Sequence, residues 1–240
     1  LRTLQGKFQQ NELTERFESV RRRMDRACTN CGRSTASVSL LAVSKRQPWE
    51  AIAALHDLGQ QEFGENRLQE ALVKQAELAD RPITWHFIGP VQSNKTRDIA
   101  AHFDWVQSVD RPKIIQRLQE QRPETSAPLN VCLQVNIDDE PQKAGASPDA
   151  LPDLAAQVEA CDRLRLRGLM CIPALSDDTA KTLDSFRRVA QLADELRAAG
   201  HALDTLSMGM SGDLELAIEA GSTLIRVGTD LFGPRTREGS

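Results

Sequence analysis

Eight short apolar runs alternate with amphipathic stretches along the whole sequence. Each run is typical of a buried β-strand, and the stretches between them have apolar residues at three- and four-residue steps. The strand candidates are residues 38–43, 62–64, 85–88, 105–109, 131–135, 166–170, 205–208 and 224–227. Alternation of this kind predicts a parallel sheet, and eight units in 240 residues predict an α/β fold, a closed TIM-type (β/α)8 barrel. A doubly wound open sheet is the alternative, and its dinucleotide-binding form is disfavoured because no Gly-x-Gly-x-x-Gly follows the first strand.

One domain is predicted, since no linker rich in Pro, Gly or Ser divides the chain. An extra helix over residues 12–28 precedes the first strand, with Leu13, Phe17, Val20 and Met24 on one face. Further helices are expected at 48–58, with Pro48 in the first turn, and at 179–199. We therefore expect a barrel domain over residues 12–235, preceded by a flexible segment at residues 1–11.

Composition disfavours several classes of function. The formal net charge is -4, and the Lys and Arg residues are scattered among acids, so no basic face for nucleic acid is expected. No run approaches the roughly 20 apolar residues of a membrane span. Five cysteines, an odd number in a long chain, disfavour a disulfide framework and predict a reducing cytoplasm. The CxxC pair Cys28 and Cys31 has no second ligand pair nearby, so we interpret it as two ordinary thiols and expect no metal site.

Two loops near the end of the chain have the composition of a phosphate site. Barrel active sites form where the strands end, and phosphate is commonly bound after strands seven and eight. Residues 207–212 and 226–229 occupy those places. Their glycines allow close backbone approach, the helix predicted at 213–220 would favour an anion, and Ser211 or Thr229 could donate a hydroxyl. Either loop alone could simply be a tight turn that caps a helix; the two together favour phosphate.

Lys45 ends the first, wholly apolar strand. Desolvation there disfavours the ammonium and makes the neutral amine more available as a nucleophile. An amine beside a phosphate site indicates a Schiff base with a phosphorylated aldehyde, and both pyridoxal 5′-phosphate (PLP) and the substrate of a sugar-phosphate aldolase fit that description. An ion-paired or snorkelling lysine is the alternative without chemistry.

Six motifs in one order resemble a known family. They are LAVSK (41–45), FGEN (63–66), WHFIGPVQSNK (85–95), RGLM (167–170), SMGMS (207–211) and RVGT (226–229). From about residue 13 to 233 the chain resembles the PLP homeostasis proteins, single-domain relatives of the N-terminal barrel of alanine racemase.

The resemblance implies a role for each matching residue. Lys45 matches the Schiff-base lysine, and Arg226 matches the arginine that faces the pyridine nitrogen. A cation there disfavours protonation of that nitrogen and weakens the ring as an electron sink. The remaining cofactor-binding matches are Ser211, Gly228 and Thr229 for the phosphate, with Ser207 assisting, and Asn66 and Met170 lining the pocket.

Two departures from the family pattern bear on function. The chain has no Tyr, whereas alanine racemase pairs its lysine with a tyrosine from a second domain, and Arg67 stands where the family often has Tyr. His86 could be proposed as a replacement base, but its place within a strand favours a satisfied structural histidine. Cys171 is interpreted as a packing residue.

With no second base and no catalytic residue assigned, we expect a monomeric PLP carrier of intracellular PLP homeostasis. The resemblance makes PLP-dependent apo-enzymes its candidate recipients. A weakly active amino-acid racemase, a Schiff-base aldolase without PLP and a purely structural module are the alternatives.

Overall fold

Eight parallel strands form a closed barrel, in which each strand pairs with its neighbours in chain order and β8 pairs with β1. The structure, a computed structural model, describes residues 2–140 and 142–233, and side chains from residue 11 onward. The strands are β1 Ser39–Val43, β2 Glu62–Glu65, β3 Thr84–Phe87, β4 Trp105–Val109, β5 Leu129–Val135, β6 Leu164–Cys171, β7 Thr205–Ser207 and β8 Leu224–Val227. The prediction of a (β/α)8 barrel is confirmed, and the open doubly wound sheet is wrong.

Helices surround the barrel on its outer side. Within the described residues they are α1 Arg2–Asn30, α2 Trp49–Asp57, α3 Leu68–Glu77, α4 Thr96–His102, α5 Pro112–Gln121, α6 Leu151–Glu159, α7 Thr179–Ala198, α8 Leu214–Glu219 and α9 Thr229–Phe232. Every strand predicted from sequence is present, although β5 and β6 begin two residues before the predicted positions 131 and 166. Apolar runs locate strands well because a strand buried on both faces has few polar positions.

The predicted starts of the first two helices differ from the observed ones. Helix α1 begins at Arg2 rather than at residue 12, so residues 2–11 continue the helix. Whether these residues are flexible stays a prediction, and residues 234–235 of the predicted domain lie outside the described part of the chain. Pro48 is the residue before α2 rather than part of its first turn, since its ψ of 155° is extended.

The main apolar core lies between the sheet and the helices, and Phe63, Ile99 and Phe186 are among its fully buried residues. Helix α1 packs against α8 and α9, and its residues Val20 and Met24 are buried in the core. This contact places the extra N-terminal helix behind the last two strand-to-helix loops of the barrel.

The cysteines and the helices carry no sign of disulfide, metal or membrane chemistry in the part that is described. All five cysteines are free thiols. Over residues 2–140 and 142–233, no group of three His, Cys, Asp or Glu side chains could hold a metal ion. No helix in these ranges is both long and apolar enough to cross a membrane.

Candidate functional site

The residues predicted for the site lie on five neighbouring strands or in the segments that follow them. Strand β1 pairs with β8, with Leu41 opposite Arg226, and β6 pairs with β7, with Met170 opposite Ser207. Lys45 follows β1, and Asn66 follows β2 on the other side of β1. Because all strands are parallel, their carboxyl ends meet at one end of the barrel. Register and barrel closure therefore bring the predicted residues from separate parts of the chain to that end.

Lys45 is half-buried directly after β1. The residue before it, Ser44, is fully buried and bonded in three directions. Its N–H donates to the Gly64 carbonyl at 3.0 Å, its hydroxyl donates to Glu65 Oε1 at 2.6 Å, and its carbonyl accepts from Lys74 Nζ at 2.8 Å. The end of β1 is thus held rigidly, which fixes the point from which the Lys45 side chain projects.

A buried ion pair lies beneath that point. Lys74 Nζ donates to Glu65 Oε1 and to Glu70 Oε1, each at 2.7 Å. The Lys74 and Glu65 side chains are 6% and 0% exposed. Burial raises the pKa of the Glu65 carboxyl, and the Lys74 ammonium opposes that rise. Glu70 also accepts the backbone N–H of Arg46, whose φ is 61°, so the same cluster holds the turn after Lys45. Sequence reasoning assigned no role to Glu65 or Lys74.

The two predicted phosphate loops are adjacent. The Asp230 N–H lies 3.5 Å from the Ser211 hydroxyl, which joins the loop after β7 to the first turn of α9. Asp213 holds the first of these loops by accepting the Met210 N–H at 2.6 Å. Burial raises the pKa of the Asp213 carboxyl, and Arg226 opposes that rise.

The second loop also approaches the lysine strand. A Cβ added at Gly228 would lie 3.2 Å from the Val43 carbonyl oxygen, so β1 and the start of α9 pass each other closely. Thr229 is exposed and begins α9, where helix geometry leaves the first N–H groups without intrahelical acceptors. The hydroxyl groups of Ser211 and Thr229 and the backbone N–H groups at the start of α9 are the kinds of donor that a phosphate group requires.

Arg23 of α1 forms hydrogen bonds with residues of both predicted phosphate loops or of the helices that follow them. Its guanidinium donates to the Ser211 carbonyl at 2.9 Å, to Asp230 and, at 2.7 and 2.9 Å, to both oxygens of Glu215. Hydrogen bonds to Glu215 raise the pKa of Arg23, so it stays charged. In the sequence, Arg23 is one of three consecutive arginines and carries no signal of this contact.

Arg226 lies in the barrel interior at the carboxyl end of β8. It donates to the Ser207 carbonyl at 2.6 Å, to the Ser207 hydroxyl at 2.8 Å and to the Cys171 carbonyl at 2.8 Å. Burial lowers the pKa of Arg226, but a guanidinium remains charged in proteins. Burial also raises the pKa of Cys171 to about 12, which agrees with the prediction of a packing residue. In this conformation Ser207 is occupied by Arg226 and Gln107, so its hydroxyl supports the arginine.

Asn66 and Met170 have different surroundings. Met170 is buried in β6, whereas Asn66 is half-buried and lines a cavity of about 490 Å³. Exposed Arg67 borders the same cavity. A Cβ added at Gly89 would lie 2.3 Å from the Asn66 carbonyl oxygen, so only glycine allows the loops after β2 and β3 to approach so closely.

His86 only partly matches the expectation of a satisfied structural histidine. Its Nδ1 lies 2.8 Å from Gln107 Nε2, as that expectation requires. Its Nε2 is buried without a hydrogen-bond partner in the described structure, with Glu62 Oε1 at 3.7 Å. The expectation is therefore wrong for Nε2, because the nearby Glu62 carboxylate is farther from it than a hydrogen bond allows.

The residues gathered here fit a phosphorylated pyridine aldehyde. A half-buried lysine has the amine that such a ligand needs, two adjacent loops have hydroxyl and N–H groups suited to phosphate, and strand β8 carries a buried, fixed arginine. Glycine at position 228 leaves room where a side chain would approach the lysine strand.

Comparison with known proteins places this chain in a family. The family model described as the alanine racemase N-terminal domain matches residues 17–236. The pyridoxal phosphate homeostasis protein of Pseudomonas aeruginosa is 54% identical over 93% of this chain and 96% of its own length. That of Escherichia coli is 46% identical over 94% of this chain and 97% of its own.

Solved structures agree with the sequence comparison. PipY of Synechococcus elongatus, described with PLP bound, has a TM-score of 0.81 and 41% identity, covering 92% of this chain and all of that one. An alanine racemase from Clostridium difficile has a TM-score of 0.73 at 13% identity, a likeness of fold over 58% of its chain. The class defined by fold and site is thus a single barrel of the alanine racemase N-terminal type. Within that class, the chain belongs to the pyridoxal phosphate homeostasis protein family.

Proposed function

We propose that this protein binds PLP in intracellular PLP homeostasis and holds it through a Schiff base to Lys45. One observation carries the proposal: Lys45 follows the strand that pairs with β8, and β8 supplies both Arg226 and the second phosphate loop. Membership of the family and the PLP-bound description of PipY support it. When bound, PLP supplies an aldehyde carbon and a conjugated pyridine ring that can withdraw electrons.

The chain's own residues bind and orient the cofactor in this proposal. Lys45 Nζ provides the covalent tether, and Ser211, Gly228 and Thr229 hold the phosphate through hydroxyl and backbone donors. Arg226 faces the pyridine nitrogen and keeps it unprotonated, because a second positive charge beside a fixed guanidinium is disfavoured. Asn66 and Met170 line the pocket, and Ser207 acts by orienting Arg226.

A carrier accounts for these residues better than a racemase does. Racemisation needs a second group that transfers a proton on the opposite face of the substrate, and this chain has no tyrosine to supply one. We further propose that the protein works as a cytoplasmic monomer and delivers PLP to apo-enzymes.

Borohydride reduction tests the tether. Purified protein mixed with PLP should show the Schiff-base absorption band, and reduction followed by peptide mapping should place the label on Lys45. Lys45→Ala should lose the band and the label. Lys95→Ala, which removes a lysine in the segment between β3 and α4, should keep both. A protein that PLP cannot titrate contradicts the proposal and favours an aldolase.

A transfer assay tests the carrier role. PLP-loaded protein is mixed with an apo-enzyme in the presence of a phosphatase that destroys free PLP, and recovered activity is measured. Loaded wild-type protein should restore more activity than an equal amount of free PLP, and Lys45→Ala should not. Light scattering should give the mass of one chain. Racemase turnover well above that of free PLP, abolished at one second residue, would identify an enzyme instead.

A further inference from the structure

A line of buried polar side chains crosses the interior of the barrel. Arg226 on β8, Ser207 on β7, Gln107 on β4 and His86 on β3 are 4%, 0%, 0% and 1% exposed. Successive contacts along the line are 2.8 Å between Arg226 Nη1 and Ser207 Oγ, 2.6 Å between Ser207 Oγ and Gln107 Oε1, and 2.8 Å between Gln107 Nε2 and His86 Nδ1. Each contact is within hydrogen-bond distance, so the four side chains form one continuous series, which we call the hydrogen-bond chain.

The donors and acceptors of this hydrogen-bond chain have one order that satisfies every contact within it, and His86 Nε2 at its far end has no hydrogen-bond partner in the described structure. Arg226 can only donate, so Ser207 Oγ accepts from it and directs its own hydrogen to Gln107 Oε1. The amide then presents Nε2, a donor, to His86 Nδ1, which must be unprotonated. The opposite amide orientation would leave the buried hydroxyl hydrogen of Ser207 without an acceptor. The geometry therefore places the single ring proton of His86 on Nε2.

The His86 end of the hydrogen-bond chain lies at the amino-terminal end of the barrel. There His86 and Glu62 line a cavity of about 250 Å³, with Arg167 also on its wall. The His86 ring stacks on Trp105 at 5.0 Å between ring centroids, and Arg167 lies 4.5 Å from the Trp105 ring. Burial lowers the pKa of His86 and Arg167 acts in the same direction, whereas Glu62 and Asp104 oppose this. The imidazole is thus held neutral, as the hydrogen-bond order requires.

We infer that Gln107 and His86 are positioning residues that orient Arg226 from the opposite end of the barrel. Arg226 donates to two carbonyls and the Ser207 hydroxyl, and among its contacts in the described structure only this hydroxyl can rotate. The hydroxyl accepts from Arg226 only while its hydrogen points to Gln107. Gln107 in turn presents its oxygen only while His86 Nδ1 holds its nitrogen. This inference rests on the proposed function, since Arg226 is the residue proposed to face the pyridine nitrogen.

The histidine proton provides a test that needs no PLP. Protein labelled with ¹⁵N-histidine should show His86 Nδ1 in the range of an unprotonated nitrogen and Nε2 in that of a protonated one. His86→Asn identifies the resonances. A protonated Nδ1 in the folded protein at neutral pH would overturn the hydrogen-bond order and the inference with it.

Variants then test the effect on the cofactor site. His86→Leu and Gln107→Leu each interrupt the hydrogen-bond chain. We expect the PLP dissociation constant to rise about tenfold in both, as when a buried charged donor loses its fixed acceptor. The absorption maximum of bound PLP should also shift, because the Arg226 guanidinium, which faces the ring nitrogen in the proposed function, changes its position. His86→Asn keeps an acceptor near the position of Nδ1 and should restore the wild-type spectrum, with affinity within about twofold.

The matched control is Val106→Ala, a fully buried position next to Gln107 on β4 whose side chain forms no hydrogen bonds and so is not part of the hydrogen-bond chain. It should lower stability and leave the spectrum unchanged. If His86→Leu and Gln107→Leu behave like Val106→Ala, Gln107 and His86 do not position Arg226, and the hydrogen-bond chain contributes only to stability. If wild-type protein fails to bind PLP, the proposed function is wrong, while the histidine resonances still decide the hydrogen-bond order.

Discussion

Replacing Lys74 by methionine tests how the end of β1 is held. The change removes an ammonium that is 6% exposed and keeps most of the aliphatic volume, so the electrostatic loss dominates. Three hydrogen bonds disappear, to the Ser44 carbonyl at 2.8 Å and to Glu65 and Glu70 at 2.7 Å each. Glu70, whose side chain is 27% exposed, can regain water, but Glu65 at 0% cannot. Breaking a buried pair by removing one partner costs about 3–5 kcal/mol, and we expect a loss in that range.

The loss should depend on pH through Glu65. Burial already raises the pKa of this carboxyl in the folded protein, and removing Lys74 raises it further. A folded-state pKa above the unfolded value means that the folded variant keeps its proton in a pH range where the unfolded chain has lost it. Stability is therefore retained below the unfolded pKa and falls as pH rises through the folded one. The deficit of Lys74→Met should be smallest in mild acid and largest at pH 8.

Urea unfolding, followed by circular dichroism at several pH values, measures both effects. Glu65→Leu combined with Lys74→Met removes both charges and should recover most of the lost free energy. Glu70→Gln is the control at the partly exposed side of the cluster; because the amide oxygen still accepts a hydrogen bond, it should cost no more than about 1 kcal/mol. A cost below about 1 kcal/mol for Lys74→Met, or no recovery in the double variant, would refute the reasoning. PLP affinity should fall in Lys74→Met, because the Ser44 carbonyl next to Lys45 loses the Lys74 ammonium as a donor and keeps the Gln47 N–H.

Three further outcomes follow from the site. Arg23→Ala should raise the PLP dissociation constant about three- to tenfold without changing the absorption spectrum, since both phosphate loops lose a shared donor. Arg22→Ala, which removes an exposed hydrogen bond to Glu18 of the same helix, should have no effect. Gly228→Ala should weaken PLP binding while the barrel still folds, because the added Cβ would lie 3.2 Å from a β1 carbonyl oxygen, and equilibrium titration measures this. Alkylation at pH 8 followed by mass spectrometry should modify Cys132 and Cys171 only after unfolding, since burial raises the pKa of each thiol to about 12; labelling in the native protein would contradict this.

The sequence by itself determined the barrel and the location of the lysine. A strand of a parallel sheet is buried on both faces, so its apolar run is visible in the local sequence. The two phosphate loops were visible for a similar reason, since small residues after a strand report a local need for close backbone approach. Lys45, Ser211 and Thr229 could therefore be proposed as candidates from their positions alone, and the family resemblance narrowed their ligand to PLP.

Only the tertiary structure decided which side chains support that site. Ser207 and Gln107 are 100 positions apart, and Arg23 and Glu215 are 192 apart. These contacts exist because the barrel closes and α1 packs behind its last loops, and local periodicity carries no information about either event. His86 illustrates the difference: its place in a strand predicted burial, but the proton position on its ring depends on a hydrogen-bond order that begins at Arg226. Burial is a property of a short segment, whereas hydrogen-bond partners are set by the register of distant strands.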